Sequence, residues 1–151
     1  MLWSKSDDAK RKKIDSMYRR SQGQFREVPD ITAEELRERR KSENLVIVDV
    51  RGPEEQAVSM IDGAIPSMDF ERDMDKYEGT PIVCYCTMGH RSGLYAQHLQ
   101  HLGWKAMNLK GAILSWTHAG GELIDAEGPT RKVHVFGPQT SLEAEGYEPV
   151  W

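Results

Sequence analysis

Cysteine is scarce in this chain of 151 residues, which has only Cys84 and Cys86, and these are separated by one residue. A disulfide across that spacing would be badly strained, so the sequence excludes a fold built on a disulfide framework. The fold must therefore rest on an apolar core, for which a hydrophobic content of 38% is sufficient in one domain. The cysteine usage fits a reducing compartment.

Long hydrophobic runs are missing as well. No apolar stretch approaches the ~20 residues that a membrane-crossing helix needs. The first residues, MLWSKSDDAKRKK, lack the apolar centre of a secretory signal. We therefore expect no membrane partner and a cytoplasmic location, although an organellar leader removed during maturation would leave no trace.

Charge is not strongly of one sign, since the formal net charge is −4, but it is unevenly distributed. Residues 1–41 carry a net +4 and residues 42–151 a net −8. Because acidic residues interleave with the basic ones in the first segment, a solvated helix or tail is favoured there over a nucleic-acid or lipid surface. We expect no nucleic-acid partner.

Composition divides the chain into three segments. Residues 1–28 are polar and basic and are predicted to form an N-terminal arm. Residues 29–128 are predicted to form the domain itself. Residues 129–151 are predicted to be a C-terminal extension that packs on the domain or on a partner.

Both terminal segments contain side chains that would attach them to a core. In the arm, Ile14, Met17 and Tyr18 have the spacing of a short amphipathic helix. In the extension, Tyr147 and Trp151 are the aromatic residues that would anchor it to the sheet or to a second copy.

Within the domain, patterns typical of strands alternate with patterns typical of helices. Thr32 and Glu35 form a capping box at the start of the first domain helix. The alternation predicts an α/β domain with a parallel sheet. Strands are predicted at 45–50, 61–66, 82–85, 105–109 and 133–136, and helices at 33–41, from 53, at 68–77, from 94 to 102, and at 111–118.

The stretch PIVCYCTMGHRSG, residues 81–93, is the centre of this pattern. A β-branched apolar run ends at Cys86, and a helical pattern begins just after Arg91, so the two residues bound a tight loop between strand and helix. A helix N-terminus presents unpaired N–H groups and the positive end of the helix dipole, surroundings that favour a thiolate. Ligands of parallel sheets bind beyond the carboxyl ends of the strands. We therefore predict that Cys86 is a nucleophile whose anionic adducts are held by backbone amides and Arg91.

Four patches of the sequence occur in the order and spacing of a known family. They are VDVRGPEE (48–55), SMIDGAI (59–65), CTMGHRS (86–92) and LKGAILSWTHAGGEL (109–123). The third matches the active loop C-x-x-G-x-R-S closely. Over about residues 31–124 the chain resembles a single-domain rhodanese, a sulfurtransferase.

This resemblance implies a rhodanese-like three-layer domain in which a central, mostly parallel sheet is flanked by helices. The chain departs from the family pattern at Ser59 and Met60, which replace Gly-His, and at Ala112, which replaces the second glycine of the closing segment. These positions are structural in the family, so the departures leave the expected site intact.

The resemblance also implies a chemistry. Cys86 would take the outer sulfur of a donor such as thiosulfate, form a persulfide, and pass the sulfur to cyanide or a thiol. The amides of residues 88–92 would stabilise the anionic persulfide, and Arg91 would orient the loop and attract the donor. No metal and no organic cofactor is implied. The expected partners are a small-molecule donor, a thiol acceptor and, as an open alternative, a sulfur-accepting protein, with the chain a monomer or homodimer.

The remaining site residues follow from the same loop. Asp49 and Arg51 are expected to support the loop from beneath, with Arg51 paired to Glu54 or Glu55. Cys84 is expected to be a small core residue rather than a partner that resolves an oxidised Cys86. The residues predicted to bind substrate are Thr87, Met88, Gly89, His90, Arg91 and Ser92.

Loop length separates the alternatives. Four residues lie between Cys86 and Arg91, whereas the phosphatases and arsenate reductases that share the fold use a loop one residue longer. The shorter loop favours sulfur transfer over phosphate chemistry. A non-catalytic, regulatory module of the same fold stays open, and a small phosphatase or arsenate reductase is the more distant alternative.

Overall fold

The structure is a computed structural model that describes residues 6–151, so the first five residues of the predicted arm lie outside the described part. Within residues 6–151 the α-helices are α1 (Asp7–Gln22), α2 (Ala33–Arg39), α3 (Pro53–Val58), α4 (Ser67–Arg72), α5 (His90–His101) and α6 (Ala112–His118). The strands of the same part are β1 (Asp30–Ile31), β2 (Val46–Asp49), β3 (Met60–Ile61), β4 (Ile65–Pro66), β5 (Ile82–Tyr85), β6 (Ala106–Leu109), β7 (Leu123–Asp125), β8 (Gly128–Thr130), β9 (Lys132–His134) and β10 (Glu148–Val150). None of these helices is both long and apolar enough to cross a membrane.

A five-stranded parallel sheet forms the centre of the fold, with the strand order β1-β6-β5-β2-β4. The register pairs Asp49 of β2 with Tyr85 of β5, and Cys84 of β5 with Asn108 of β6. The carboxyl ends of these three strands therefore meet at one edge of the sheet. A three-stranded antiparallel sheet, β3-β7-β8, and the parallel pair β9-β10 lie outside it.

Helices cover both faces of this sheet, as the alternation of side chains along β5 demonstrates. Val83 and Tyr85 belong to an apolar cluster that includes residues of α2 and α6. Ile82 and Cys84 belong to a second cluster that includes residues of α4 and α5. Since successive residues of a strand face opposite sides, the domain has three layers, and the predicted α/β class is confirmed.

Cys84 is fully buried in the second cluster, where burial raises the pKa of its thiol. It is a core residue, as predicted.

The N-terminal helix α1 is longer than the predicted short helix and is attached to the core. Ile14 packs in the first apolar cluster and Tyr18 in the second, so α1 extends past the edge of the sheet and contacts both α5 and α6. In the C-terminal extension Tyr147 is buried, and its hydroxyl donates to the Gly121 carbonyl at 2.8 Å. Trp151 is 62% exposed and does not anchor the extension.

Two local predictions can be compared directly with the structure. The capping box is confirmed, because Thr32 and Glu35 exchange hydrogen bonds of 3.1 and 3.2 Å between side chain and backbone. The single helix predicted at 68–77 is wrong: α4 ends at Arg72, Asp73 leaves helical geometry, and a 3₁₀ turn follows from Met74 to Tyr77.

A buried polar network joins the ends of β2, β3 and β5. Asp49 accepts hydrogen bonds from the Arg51 guanidinium at 3.0 and 2.8 Å and from the Tyr85 hydroxyl at 2.6 Å. The same hydroxyl accepts the Ile61 amide at 3.0 Å, and Arg51 also donates to the Ser59 carbonyl at 2.6 Å. Every member of the network is buried, so each bond satisfies a group that water does not reach.

The predicted partner of Arg51 is therefore wrong. Arg51 turns back to Asp49, two residues before it, with both side chains fully excluded from solvent. Glu54 is exposed and Glu55 is bound elsewhere.

Replacing Tyr85 by Phe tests the network. Tyr85→Phe leaves the Ile61 amide without its acceptor and removes a donor from Asp49, so we expect the free energy of unfolding to fall by about 1–3 kcal/mol in urea titrations. Tyr95→Phe is the control, because its hydroxyl bonds to Glu71 at the exposed surface and its loss should cost less than about 1 kcal/mol. Equal losses in the two variants would contradict the structural role of the network.

Candidate active site

Cys86 is the first residue after β5, and its loop is fixed by the first turn of α6. The Ile113 amide donates to the Cys86 carbonyl at 3.2 Å, and the Leu114 amide donates to the Thr87 carbonyl at 3.3 Å. These two amides are among those that a helix N-terminus leaves without intrahelical acceptors. The start of α6 therefore holds the start of the loop.

The Cys86 sulfur lies among hydrogen-bond donors at the start of α5. The Gly89 amide is 3.2 Å from Sγ and the Ser92 hydroxyl is 3.3 Å from it. The first intrahelical bond runs from the Gly93 amide to the Gly89 carbonyl, so the amides of residues 90–92 have no acceptor within the helix. Donors and helix dipole together favour negative charge on this sulfur.

Gly89 gives the loop its shape. Its φ of +117° is in the region that favours glycine, and a Cβ there would lie 2.5 Å from the Tyr18 ring. Its carbonyl accepts the Asn108 side-chain amide at 2.9 Å, and that amide also donates to the Tyr18 hydroxyl at 3.0 Å. The Tyr18 hydroxyl donates in turn to Asp30. Helix α1 and strand β6 thus support the residue whose amide contacts Cys86.

Arg91 closes the loop through a bidentate ion pair. Its two terminal nitrogens donate to the Glu55 carboxylate at 3.0 and 2.8 Å, and one of them also donates to the Thr87 hydroxyl at 3.2 Å. Glu55 accepts a further bond from the Gly52 amide at 2.8 Å. Burial opposes the charge on Glu55, but the Arg91 guanidinium outweighs it and lowers the pKa of Glu55 to about 2. The Arg91 charge is consequently balanced inside the site.

A cavity of about 250 Å³ opens above the sulfur of Cys86, whose residue is only 2% exposed. Its lining comes from the loop and from the C-terminal extension. The lining residues are Cys86, Thr87, Met88, His90, Arg91, Phe136 and Thr140.

The predicted site residues do not all have the same surroundings. Residues 86–92 surround the cavity or the sulfur, but Thr87 is buried and its hydroxyl is bound by Arg91. His90 is exposed, with its Nε2 3.1 Å from the Gln24 side-chain oxygen. Asp49 and Arg51 lie at the strand ends and do not line the cavity.

Sequence reasoning missed five contributors to the site. Glu55 lies in the VDVRGPEE patch, but it was predicted, together with Glu54, as a partner of Arg51 and not of Arg91. Tyr18 had a helical spacing that indicated burial and nothing more. Asn108, Phe136 and Thr140 had no signal in the sequence, because their roles depend on register and on the path of the extension. Within the described residues no three His, Cys, Asp or Glu side chains are grouped as a metal site.

Gly89→Ala tests the contact between the loop and α1. Alanine would be strained at this φ and would also overlap the Tyr18 ring, so the free energy of unfolding should fall by about 2–4 kcal/mol in urea titrations. Gly128→Ala is the matched control, since Gly128 has a φ of +121° but no atom within 4 Å of an added Cβ. It should cost only about 1–2 kcal/mol. The interpretation fails when both variants lose the same amount.

Glu55→Gln tests the ion pair through its pH dependence. The folded-state pKa of Glu55 lies below its ordinary value of 4.5, so its stabilisation is complete above that pH and is lost as the pH falls toward about 2. At pH 7 we expect the variant to be less stable by about 1–2 kcal/mol, a modest value because Arg91 is 38% exposed. In urea titrations between pH 7 and 2.5, the difference in unfolding free energy between wild type and variant should shrink as the pH falls. A gap that is constant with pH would rule out the ion pair as its source.

Comparison with known proteins identifies the family. The model of the Rhodanese-like domain matches residues 32–119, more than half of the chain. A sulfurtransferase of Allochromatium vinosum is 30% identical over 112 residues, covering 67% of this chain and 99% of that protein. The crystal structure of a rhodanese-like domain protein from Staphylococcus aureus, 29% identical, superimposes with a TM-score of 0.52 over 59% of this chain and 91% of that chain.

A thiosulfate sulfurtransferase from Pseudomonas aeruginosa, 24% identical, has a TM-score of 0.58 over 74% of this chain and 23% of its own length, a likeness of fold alone. The loop from Cys86 to Ser92, with its sulfur at the start of a helix beyond the carboxyl edge of a parallel sheet, lies inside the matched residues. The chain belongs to the rhodanese-like domain family.

Proposed function

We propose that this protein is a sulfurtransferase that moves a sulfane sulfur through a persulfide on Cys86. The observation that carries the proposal is the position of the Cys86 sulfur, 3.2 Å from the Gly89 amide and 3.3 Å from the Ser92 hydroxyl, at the base of a cavity. Donors this close favour an anionic sulfur, and Cys86 lines the cavity by which a sulfur donor would approach. Such preorganised donors are the usual means by which enzymes stabilise negative charge.

The first half-reaction loads the cysteine. The Cys86 thiolate attacks the outer sulfur of a donor such as thiosulfate, a sulfur–sulfur bond forms on Cys86, and the donor's own sulfur–sulfur bond breaks to release sulfite. Charge and atoms balance without an added oxidant, because the electron pair of the broken bond leaves with sulfite. The new terminal sulfur carries the negative charge, which the unpaired amides at the start of α5 would stabilise.

The second half-reaction removes the terminal sulfur from Cys86. A nucleophile, cyanide in an assay or a thiol of a small molecule or protein, takes the terminal sulfur and returns Cys86 as a thiolate. The donor groups that hold the persulfide also hold the returning thiolate, so neither step needs a rearrangement of the loop. The bidentate bond between Arg91 and Glu55 supports this view, since it holds the end of the loop rigid.

The size of the loop supports sulfur rather than phosphoryl chemistry. The hydrogen bonds to the Cys86 sulfur come from residues three and six positions later. A donor set this close to the sulfur suits one additional sulfur atom better than a tetrahedral phosphoryl group with three oxygens.

Cys86→Ser tests the proposal. Serine lacks a nucleophilic sulfur, so thiocyanate formation from thiosulfate and cyanide should fall by roughly a thousandfold or more. The wild-type protein, treated with donor and purified without reductant, should gain the mass of one sulfur atom on the peptide that contains Cys86. Cys84→Ala is the control, because Cys84 is buried in the core and its substitution should leave the mass gain in place.

Retained activity in Cys86→Ser would overturn the proposal. Hydrolysis of a phosphate ester without sulfur transfer would favour the phosphatase alternative. A wild-type protein that never gains sulfur from any donor would indicate a non-catalytic module.

A further inference from the structure

Phe136 is an apolar side chain in an unusual position. It lies in the C-terminal extension, outside the residues that match the family model, and its ring forms part of the cavity wall above Cys86. The residue is 59% exposed, while Val133 and Val135 beside it are completely buried. Phe136 lies two residues beyond the end of β9 at His134, so strand alternation does not place its ring, and a large apolar ring in so exposed a position calls for an explanation.

The backbone at Phe136 is also in an unusual conformation. Its φ of +79° is in the left-handed region, which a bulky residue adopts only when its surroundings impose it. Those surroundings are rigid: the Val135 amide bonds to the Val150 carbonyl at 2.9 Å, and the Phe136 amide bonds to the His134 ring at 3.3 Å. Strain of this kind is found at ligand-binding positions, where a side chain must be held at a fixed place.

One face of the Phe136 ring is already occupied. The guanidinium of Arg91 lies 4.8 Å from the ring centroid, a cation–π distance that fixes the ring against the loop. Met88, which is partly exposed, lines the same cavity. Phe136 and Met88 therefore give the cavity that Cys86 lines an apolar surface, and the contact with Arg91 holds the Phe136 ring in place.

The cavity is large for the inorganic donor. Its volume of about 250 Å³ approaches the ~300 Å³ at which small-molecule sites begin. Thiosulfate is a compact anion of five heavy atoms and would leave the apolar wall in contact with water.

The charge of the site also fits thiosulfate poorly. Thiosulfate is a dianion, and Arg91, the cation of the cavity lining, is already bonded in bidentate fashion to Glu55. The whole chain carries a formal net charge of −4, so its field disfavours a dianion more than a monoanion. An organic thiosulfonate carries one negative charge fewer and replaces an oxygen by an apolar group.

We infer that the site prefers an organic sulfane-sulfur donor, whose apolar group packs on Phe136 and Met88 while its outer sulfur meets Cys86. The inference rests on the proposed function and names the donor class for it. In the loading step the Cys86 thiolate bonds to the outer sulfur, the donor's sulfur–sulfur bond breaks, and a sulfinate leaves with the electron pair. No oxidant or reductant is consumed, and Phe136 acts as a specificity-determining wall.

Three sulfur donors distinguish the effect of the donor's charge from the effect of its apolar group. Benzenethiosulfonate and methanethiosulfonate carry the same charge but differ in the apolar group, and thiosulfate carries one negative charge more. For the wild-type protein we expect kcat/KM, measured as sulfinate or sulfite release with cyanide as acceptor, to be about five- to tenfold higher for the benzene than for the methane compound. Thiosulfate should have the lowest value.

Phe136→Gly removes the ring and also relieves the left-handed strain, so folding should not suffer. We expect it to bring the two thiosulfonates to within about twofold of each other, while Phe136→Leu, which keeps an apolar side chain, retains part of the difference. Trp151→Ala is the matched control, because it removes an equally exposed aromatic ring that does not line the cavity.

The outcomes separate the two proposals. Turnover with the same benzene-to-methane ratio in wild type and in Phe136→Gly, or a higher kcat/KM for thiosulfate than for both thiosulfonates, would overturn the inference and leave sulfur transfer standing. Failure of all three donors to load Cys86 in the wild-type protein would overturn the proposed function and the inference together.

Discussion

The close contact at Gly89 is the constraint on which the site depends. Between the end of β5 and the start of α5 only four residues are available, and in that distance the backbone must turn its amides toward the Cys86 sulfur. A φ of +117° makes the turn, and the missing side chain lets the Tyr18 ring pack against the loop. Asn108 then fixes the peptide through the Gly89 carbonyl. The contact between Gly89 and Tyr18 therefore belongs to the core packing and also shapes the loop around the Cys86 sulfur.

Two ion pairs near the loop have different physical roles. The pair of Asp49 and Arg51 is fully buried and is hydrogen-bonded further by Tyr85 and the Ser59 carbonyl, so it joins strand ends and does not line the cavity. The pair of Glu55 and Arg91 is partly exposed at the cavity. It holds the end of the loop, and it leaves the Arg91 charge balanced by Glu55.

The segments on either side of the matched family residues complete the site. Helix α1 supplies Tyr18 from below the loop, and the extension supplies Phe136 and Thr140 above it. Both segments are attached through buried residues, Ile14 in α1 and Val135 and Leu142 in the extension. The domain core has the fold of the family, and these two segments complete the surroundings of its cysteine.

Local patterns in the sequence determined much of this protein: the alternation of strands and helices, the capping box at Thr32, and a loop that begins with Cys86 and contains a glycine at position 89. These features depend on neighbours a few residues apart, so a linear reading reaches them. Which carboxylate pairs with which arginine was decided only by the tertiary structure, since Asp49, Glu54 and Glu55 all lie within four residues of Arg51 in sequence. The same holds for the contacts of Tyr18, Asn108 and Phe136 with the loop, since Asn108 and Tyr18 lie 19 and 71 positions from Gly89 and Phe136 belongs to the extension above the cavity. Such contacts follow from strand register and from the packing of terminal segments, and no local pattern encodes either.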